Sequence, residues 1–316
     1  MRPELDDIET AAERIAGVAV RTPLVPSPEL SSRNGAEVLL KLEGVQPTGS
    51  FKVRGAASKI LSLDPEQAAR GVVTASTGNH GRAVAYVASR LGIPAAVCVS
   101  ENVPAGKIAA LEALGCELVI GGDSQAAALD TAASMVEERG MTLVHPFDDP
   151  QVIAGQGTIG LEILEDAPGI DVVLVPLSGG GLISGVALAM KALRPTVRVV
   201  GISMEHGAVM AASLEAGHPV ELPEEPTLAD SLQGGIGLDN RLTFDICRDL
   251  VDEVVLLTED EIADGMAFAF RSHRLILEGG GAVGIGAILA GKVDLPEKAA
   301  VVCSGANAEP GQIPFL

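Results

Sequence analysis

Two apolar rhythms alternate along the 316-residue chain. In 5–16 the apolar residues Ile8, Ala12 and Ile15 recur at helical spacing, and the same period predicts helices over 51–61, 81–91, 105–114, 123–138, 152–164, 182–193, 206–215, 259–273 and 284–290. Between them lie short apolar runs: 38–42, VVTAS (72–76), AAVCVS (95–100), ELVI (117–120), a short run ending near His145, DVVLVPL (171–177), VRVVGIS (197–203), EVVLLT (253–258) and AAVVCSG (299–305). Strands that are apolar throughout, rather than at every second residue, are buried on both faces. Alternating them with helices predicts an α/β protein with parallel sheets covered by helices. The β/α units of 47–145 are read as a small domain, and 1–46 together with 146–316 as a large one. A loop rich in Pro, Glu and Gly is expected over 217–240, and no solenoid repeat or low-complexity tract occurs.

Composition removes several functions. The apolar fraction of 47% is ample for a large core, which excludes global disorder. Six Phe, one Tyr and no Trp leave almost no rings on which to stack single-stranded bases. With 22 Lys and Arg against 42 Asp and Glu, the net charge of −20 repels phosphate backbones and anionic lipid surfaces. No nucleic-acid or membrane partner is expected. Cys98, Cys116, Cys247 and Cys303 show no C-x-x-C spacing, which predicts buried thiols in a reducing compartment. The opening 17 residues are acidic and amphipathic, unlike a signal peptide, so a cytoplasmic protein is expected.

Chemistry-bearing residues gather at predicted strand-to-helix turns. In PLSGGGLISG (176–185) a buried strand runs into three glycines and an apolar helix. Converging backbone N–H groups and a helix N-terminus make this a phosphate cradle, and a tight packing turn is the competing reading. It is not the nucleoside-triphosphate pattern G-x-x-x-x-G-K-[ST]. A literal G-x-G-x-x-G occurs at 279–284, but no long strand leads into it and no acidic residue follows about twenty positions on. A Gly-rich turn with close helix packing is the preferred reading there, which weakens the alternative of a nicotinamide-dependent oxidoreductase. Lys52 starts a helix in apolar company, with Arg54 two residues on. A buried lysine beside a cation has a lowered pKa and a nucleophilic amine, against the alternative of an ordinary surface lysine. In TASTGNHGR (74–82), Ser76, Thr77, Asn79 and the backbone amides suit a carboxylate at a helix start. His80 taken alone reads as a locally satisfied hydrogen-bonder.

These segments resemble a known family. SFKVRGA (50–56) resembles the cofactor-lysine motif of fold-type II pyridoxal-phosphate enzymes, in the serine/threonine dehydratase and serine racemase family. STGNHGRA (76–83) resembles its substrate-carboxylate loop, SGGGLISG (178–185) its phosphate loop, and VCSGAN (302–307) its pyridine-nitrogen strand. VIAGQGTIGLEIL (152–164) also looks like family sequence, and the five blocks fall in the family's order.

The resemblance implies a tryptophan synthase β-like fold: two open, twisted, mostly parallel sheets flanked by helices, with pyridoxal 5'-phosphate in the cleft between them. It implies Lys52 as the covalent attachment point and catalytic base, and Asn79 at the cofactor's phenolic oxygen. Ser178, Gly179, Gly180, Gly181 and Leu182 would hold the phosphate, and Ser304 the ring nitrogen. Ser76, Thr77, Asn79 and His80 would hold the substrate carboxylate. The implied reaction is elimination of the β-hydroxyl of a threonine- or serine-type amino acid, giving a 2-oxo acid and ammonia, in a homodimer. Within the family the sequence looks most like the dehydratases of hydroxyectoine utilisation; serine racemisation and β-replacement are the alternatives. Thr77 stands where serine racemases use a serine, which argues against racemisation. Glu205 aligns with a family metal ligand, but Ala211 replaces the next carboxylate, leaving the divalent cation uncertain. With the chain ending at Leu316, the regulatory domain of biosynthetic threonine dehydratases is not expected.

Overall fold

The structure is a computed structural model. It describes the chain except residues 102, 104, 310, 312 and 314–316 and the side chains of 105, 107, 125 and 126. Helix α1 (Leu5–Arg14) is followed by β1 (Leu24–Pro26), α2 (Pro28–Asn34), β2 (Glu37–Leu42) and a 3-10 turn at Glu43–Val45. Next come α3 (Lys52–Ile60), α4 (Pro65–Arg70), β3 (Val72–Ala75), α5 (Asn79–Leu91), β4 (Ala95–Val99), α6 (Ala105–Glu112), β5 (Glu117–Ile120), α7 (Gln125–Arg139) and β6 (Thr142–Leu143). The remainder is α8 (Pro150–Asp166), β7 (Val172–Pro176), α9 (Gly181–Leu193), β8 (Arg198–Met204), α10 (Val209–Ala216), a 3-10 turn at Asp230–Leu232, α11 (Leu242–Leu250), β9 (Glu253–Leu257), α12 (Glu259–His273), α13 (Gly279–Leu289) and β10 (Lys298–Cys303).

The strands form two sheets. One is six-stranded in the order β1-β2-β10-β7-β8-β9, and the other four-stranded in the order β5-β4-β3-β6. Every pairing is parallel except β1 with β2. Every residue of β7 and of β3 is buried, as continuous apolar strands require. Each such Val or Leu side chain contributes about 1.5–3 kcal/mol on leaving water. Helices α8 and α9 cross closely because a Cβ on Gly185 would collide with the Gly157 backbone nitrogen. At the α3–α8 crossing, a Cβ on Gly155 would lie 2.6 Å from the Arg54 carbonyl oxygen. The glycines of the 152–164 block are thus explained by helix packing.

The G-x-G-x-x-G run at 279–284 is not a turn but the buried first turns of α13. A Cβ on Gly281 would strike the Gly305 carbonyl, and one on Gly279 the Leu228 carbonyl. Cys98, Cys247 and Cys303 are buried and Cys116 half-buried, all as free thiols. Burial pushes the Cys247 and Cys303 thiols up to about 12, which leaves them unreactive. Among the described residues, no helix is long and apolar enough to cross a membrane.

Candidate active site

Parallel register determines which loops meet. β10 pairs with β7 with Val301 opposite Leu174, so Ser304 and the 178–181 loop leave the large sheet side by side. In the small sheet Val73 lies opposite Leu143, so the loop beginning at Ser76 and the segment 144–147 leave side by side. Ligands of open α/β sheets bind at these carboxyl ends. The segment before α3 then ties Lys52 to the large sheet. Ser50 bridges to Gly305, the Phe51 N–H donates to the Ser304 carbonyl at 3.0 Å, and the Ala306 N–H donates to the Gly49 carbonyl at 2.8 Å.

Lys52 is the first residue of α3 and is half-buried. Its amine donates to the Pro146 carbonyl oxygen at 2.9 Å and lies 5.2 Å from the centre of the Phe51 ring. Burial lowers its pKa to about 8, with the Glu278 charge working the other way. The expected contribution of Arg54 is not found. That guanidinium is buried and turned to Glu43 and Glu162, so desolvation rather than a neighbouring cation activates the amine.

Phe147, one residue past the Pro146 acceptor, joins Lys52 to the glycine loop. A Cβ on Gly179 would overlap the Phe147 ring, and one on Gly181 would lie 2.8 Å from the Phe147 Cα. Gly180 has φ +86°, a left-handed conformation that favours glycine. No side chain caps α9, so its first N–H groups are left for a ligand. Ser178 is half-buried beside them, and Leu182 is buried in the first turn.

Helix α5 likewise starts at Gly78–Asn79 with no side-chain cap. A Cβ on Gly81 would strike the Ser76 carbonyl, so glycine there lets the turn fold tightly over the helix start. Ser76 and Thr77 are half-buried in that turn. Asn79 Nδ2 donates to Glu278 Oε1 at 2.7 Å, and its Oδ1 accepts from Asn307 Nδ2 at 2.7 Å. The Ser304 hydroxyl is buried and donates to the Gly280 carbonyl at 3.4 Å. The His80 ring matches its reading as a local hydrogen-bonder. The imidazole is buried, its Nε2 meets the Val144 carbonyl at 2.9 Å, and burial, then Lys52, lowers its pKa to about 3. A neutral ring held this way leaves only the His80 backbone N–H for a carboxylate.

The residues present suit a phosphate-bearing aldehyde: an amine with a lowered pKa, two uncapped helix starts, and amide and hydroxyl side chains at adjoining strand ends. The sequence profile of pyridoxal-phosphate-dependent enzymes matches residues 15–305. The chain belongs to that family. A Sinorhizobium fredii protein provisionally named a threonine dehydratase is 51% identical over 308 residues, covering 97% of this chain and 93% of its own length. The L-threonine ammonia-lyase of Thermotoga maritima is 44% identical, over 98% of this chain and 77% of the relative. Among solved structures, maize serine racemase superposes with a TM-score of 0.94 at 36% identity, covering 99% of this chain and 96% of that one. The family uses pyridoxal phosphate as its cofactor, and the fold is its fold type II.

Glu205 sits just past β8, half exposed, with Oε1 3.4 Å from the ring of His206. No group of three or more metal-ligating side chains occurs among the described residues. Four residues of the cleft were given no role from the sequence, although Asn307 closes the VCSGAN block: His145, Phe147, Glu278 and Asn307. His145 Nδ1 accepts the backbone N–H groups of Phe147 and Asp148 at 3.3 and 2.8 Å, which shapes the segment carrying the Pro146 acceptor. Their partners lie on other elements, so no local spacing announces them; only the strand-to-turn position of His145 was a usable cue.

Proposed function

We propose that this protein is a pyridoxal-phosphate-dependent ammonia-lyase that removes the β-hydroxyl of L-threonine or L-serine. The observation carrying this reading is the run of contacts joining Lys52, the glycine loop, Asn79 and Ser304 at adjoining strand ends, in a chain similar to proteins named for that reaction. When bound, the cofactor supplies an electron sink for bond-breaking at the substrate Cα. Lys52 would hold the cofactor and take the Cα proton, a task suited to an amine whose pKa burial lowers to about 8. The N–H groups of Gly179, Gly180, Gly181 and Leu182, with the Ser178 hydroxyl, hold the phosphate. Asn79 serves the phenolic oxygen. Ser304 would meet the ring nitrogen with a neutral hydroxyl rather than a carboxylate, a partner suited to elimination over transamination. Ser76, Thr77 and the N–H groups of Asn79 and His80 hold the substrate carboxylate.

In this reading residues 47–145 form the small domain and 1–46 with 146–316 the large one, in a cytoplasmic homodimer. The test is a panel of L-threonine, L-serine, 3-hydroxyaspartate and a hydroxyectoine-derived amino acid, assayed for ammonia and 2-oxo acid. Equimolar ammonia and 2-oxobutanoate from threonine is the expected result. Turnover confined to another member of the panel reassigns the substrate, and none at all refutes the lyase.

A further inference from the structure

Glu278 is a buried acid at the N-cap of α13, yet its side chain does not cap that helix. It reaches instead to Asn79, 199 positions away in sequence, and Oε1 accepts from Asn79 Nδ2 at 2.7 Å. The fold makes room for this. A Cβ on Gly305 would lie 2.4 Å from the same Oε1, so the carboxyl group occupies space that any other residue at 305 would fill. The Glu278 backbone N–H donates to the Gly305 carbonyl at 3.2 Å, which anchors the acid beside Ser304.

Chemistry then fixes the orientation of the Asn79 amide. The carboxylate, when ionised, only accepts, which turns Nδ2 to Glu278, and the donors on the other side require the same orientation. On the other side Asn307 Nδ2 donates to Asn79 Oδ1 at 2.7 Å and also reaches the Thr48 carbonyl at 2.8 Å, while Arg82 Nη1 donates to Asn307 Oδ1 at 3.3 Å. Both ends of the amide are therefore assigned, and one Nδ2 hydrogen remains to give. We propose that Glu278 is a positioning residue that locks the Asn79 amide with that N–H presented to the cofactor's phenolic oxygen, an inference that rests on the cofactor placement proposed above. Two charged groups face Glu278: Asp230 on the 3-10 turn and Lys52 on α3. Burial, then Asp230, raises its pKa to about 7, while Ser231, Asn79 and the Asn307 backbone N–H oppose the rise.

The test is a double-mutant cycle read as affinity for pyridoxal phosphate, titrated into cofactor-free protein and followed by absorbance. Asn79→Ala and Glu278→Met each weaken binding about tenfold, the scale of one hydrogen bond. The double variant is no weaker than Asn79→Ala alone, because Glu278 acts through that amide. Glu278→Gln, which keeps an oxygen for Asn79 Nδ2 and preserves volume, stays within about threefold of wild type. In wild type the bound-cofactor spectrum shows a pH step near 7 that Glu278→Gln abolishes. Multiplicative losses in the double variant, or unchanged affinity in a folded Glu278→Met protein, would overturn the proposal. Because cofactor affinity is read, a failed threonine assay and a failed cycle are separate results.

Discussion

Replacing Arg54 with Met tests how the helix carrying Lys52 is held. The guanidinium is 1% exposed and makes a two-pronged contact with Glu43, through Nε at 2.8 Å and Nη2 at 2.9 Å. It also reaches Glu162 at 2.6 and 2.9 Å, the Thr158 hydroxyl at 3.0 Å and the Val20 carbonyl at 3.2 Å. Lys41, fully buried, completes a balanced set of two cations and two carboxylates through its bond to Glu162. Methionine preserves bulk but leaves Glu43, also fully buried, with only the Thr22 hydroxyl and the Gln46 amide as side-chain donors. Removing one partner of a buried pair costs about 3–5 kcal/mol. At roughly 2–4 °C per kcal/mol, the melting temperature falls by about 10 °C. The assay is thermal unfolding followed by far-ultraviolet circular dichroism at pH 7.5. Adding Glu43→Gln recovers part of the loss, because it removes the stranded charge. Arg54→Lys gives an intermediate loss, since a point charge cannot reproduce the planar fork. A fall of less than about 2 °C, or a Glu43→Gln change that adds a full loss of its own, would refute the reasoning.

Three further outcomes are expected. The Lys52 amine is protonated below and neutral above its lowered pKa of about 8. The rate at which added pyridoxal phosphate attaches to cofactor-free protein therefore rises with pH to a plateau above 8. Glu278→Gln moves that midpoint down by removing the charge that favours the ammonium, and a midpoint unmoved from the ordinary lysine range contradicts the burial argument. Gly181→Ala drives a methyl group against the Phe147 backbone and weakens cofactor binding at least tenfold by equilibrium titration, whereas wild-type affinity would show the loop is not the phosphate site. With Thr77 at the substrate carboxylate as proposed, its β-branched hydroxyl with restricted χ1 makes a poor second base, so chiral chromatography of either serine enantiomer shows ammonia release with negligible inversion. Inversion as fast as elimination would favour the racemase reading.

Continuous apolar strands such as Val172–Pro176 made the parallel sheets legible, because burial on both faces leaves no alternative pattern. Elements with little burial stayed hidden. α4 has no buried residue and is held by a capping box between Asp64 and Gln67, while α2 buries only Leu30. β1 is three residues long and ends in proline, and α11 lay beyond the loop expected to end near 240. The helix expected from 284 begins at Gly279, since glycines of poor helix propensity are retained there by the close approach of Leu228 and Gly305. The site divides in the same way. Lys52, Asn79, Ser304 and the glycine loop stand in short motifs. Glu278 stands in none of them, and the roles of Glu278 and Asn307 rest on hydrogen bonds spanning 199 and 228 residues, which no local spacing encodes. Burial lowers the Lys52 pKa as its apolar company suggests, but the expected neighbouring cation does not contribute, because the sequence does not reveal which way the Arg54 side chain turns.

The claim on which the rest depends is that the cofactor is carried by Lys52. Reducing the cofactor-loaded protein with borohydride and mapping its peptides by mass spectrometry tests this directly. The account predicts a pyridoxyl phosphate mass on the peptide containing Lys52, on none of the other six lysines, and on no peptide of a folded Lys52→Ala variant. The same mass found on another lysine, or retained after that substitution, would contradict it.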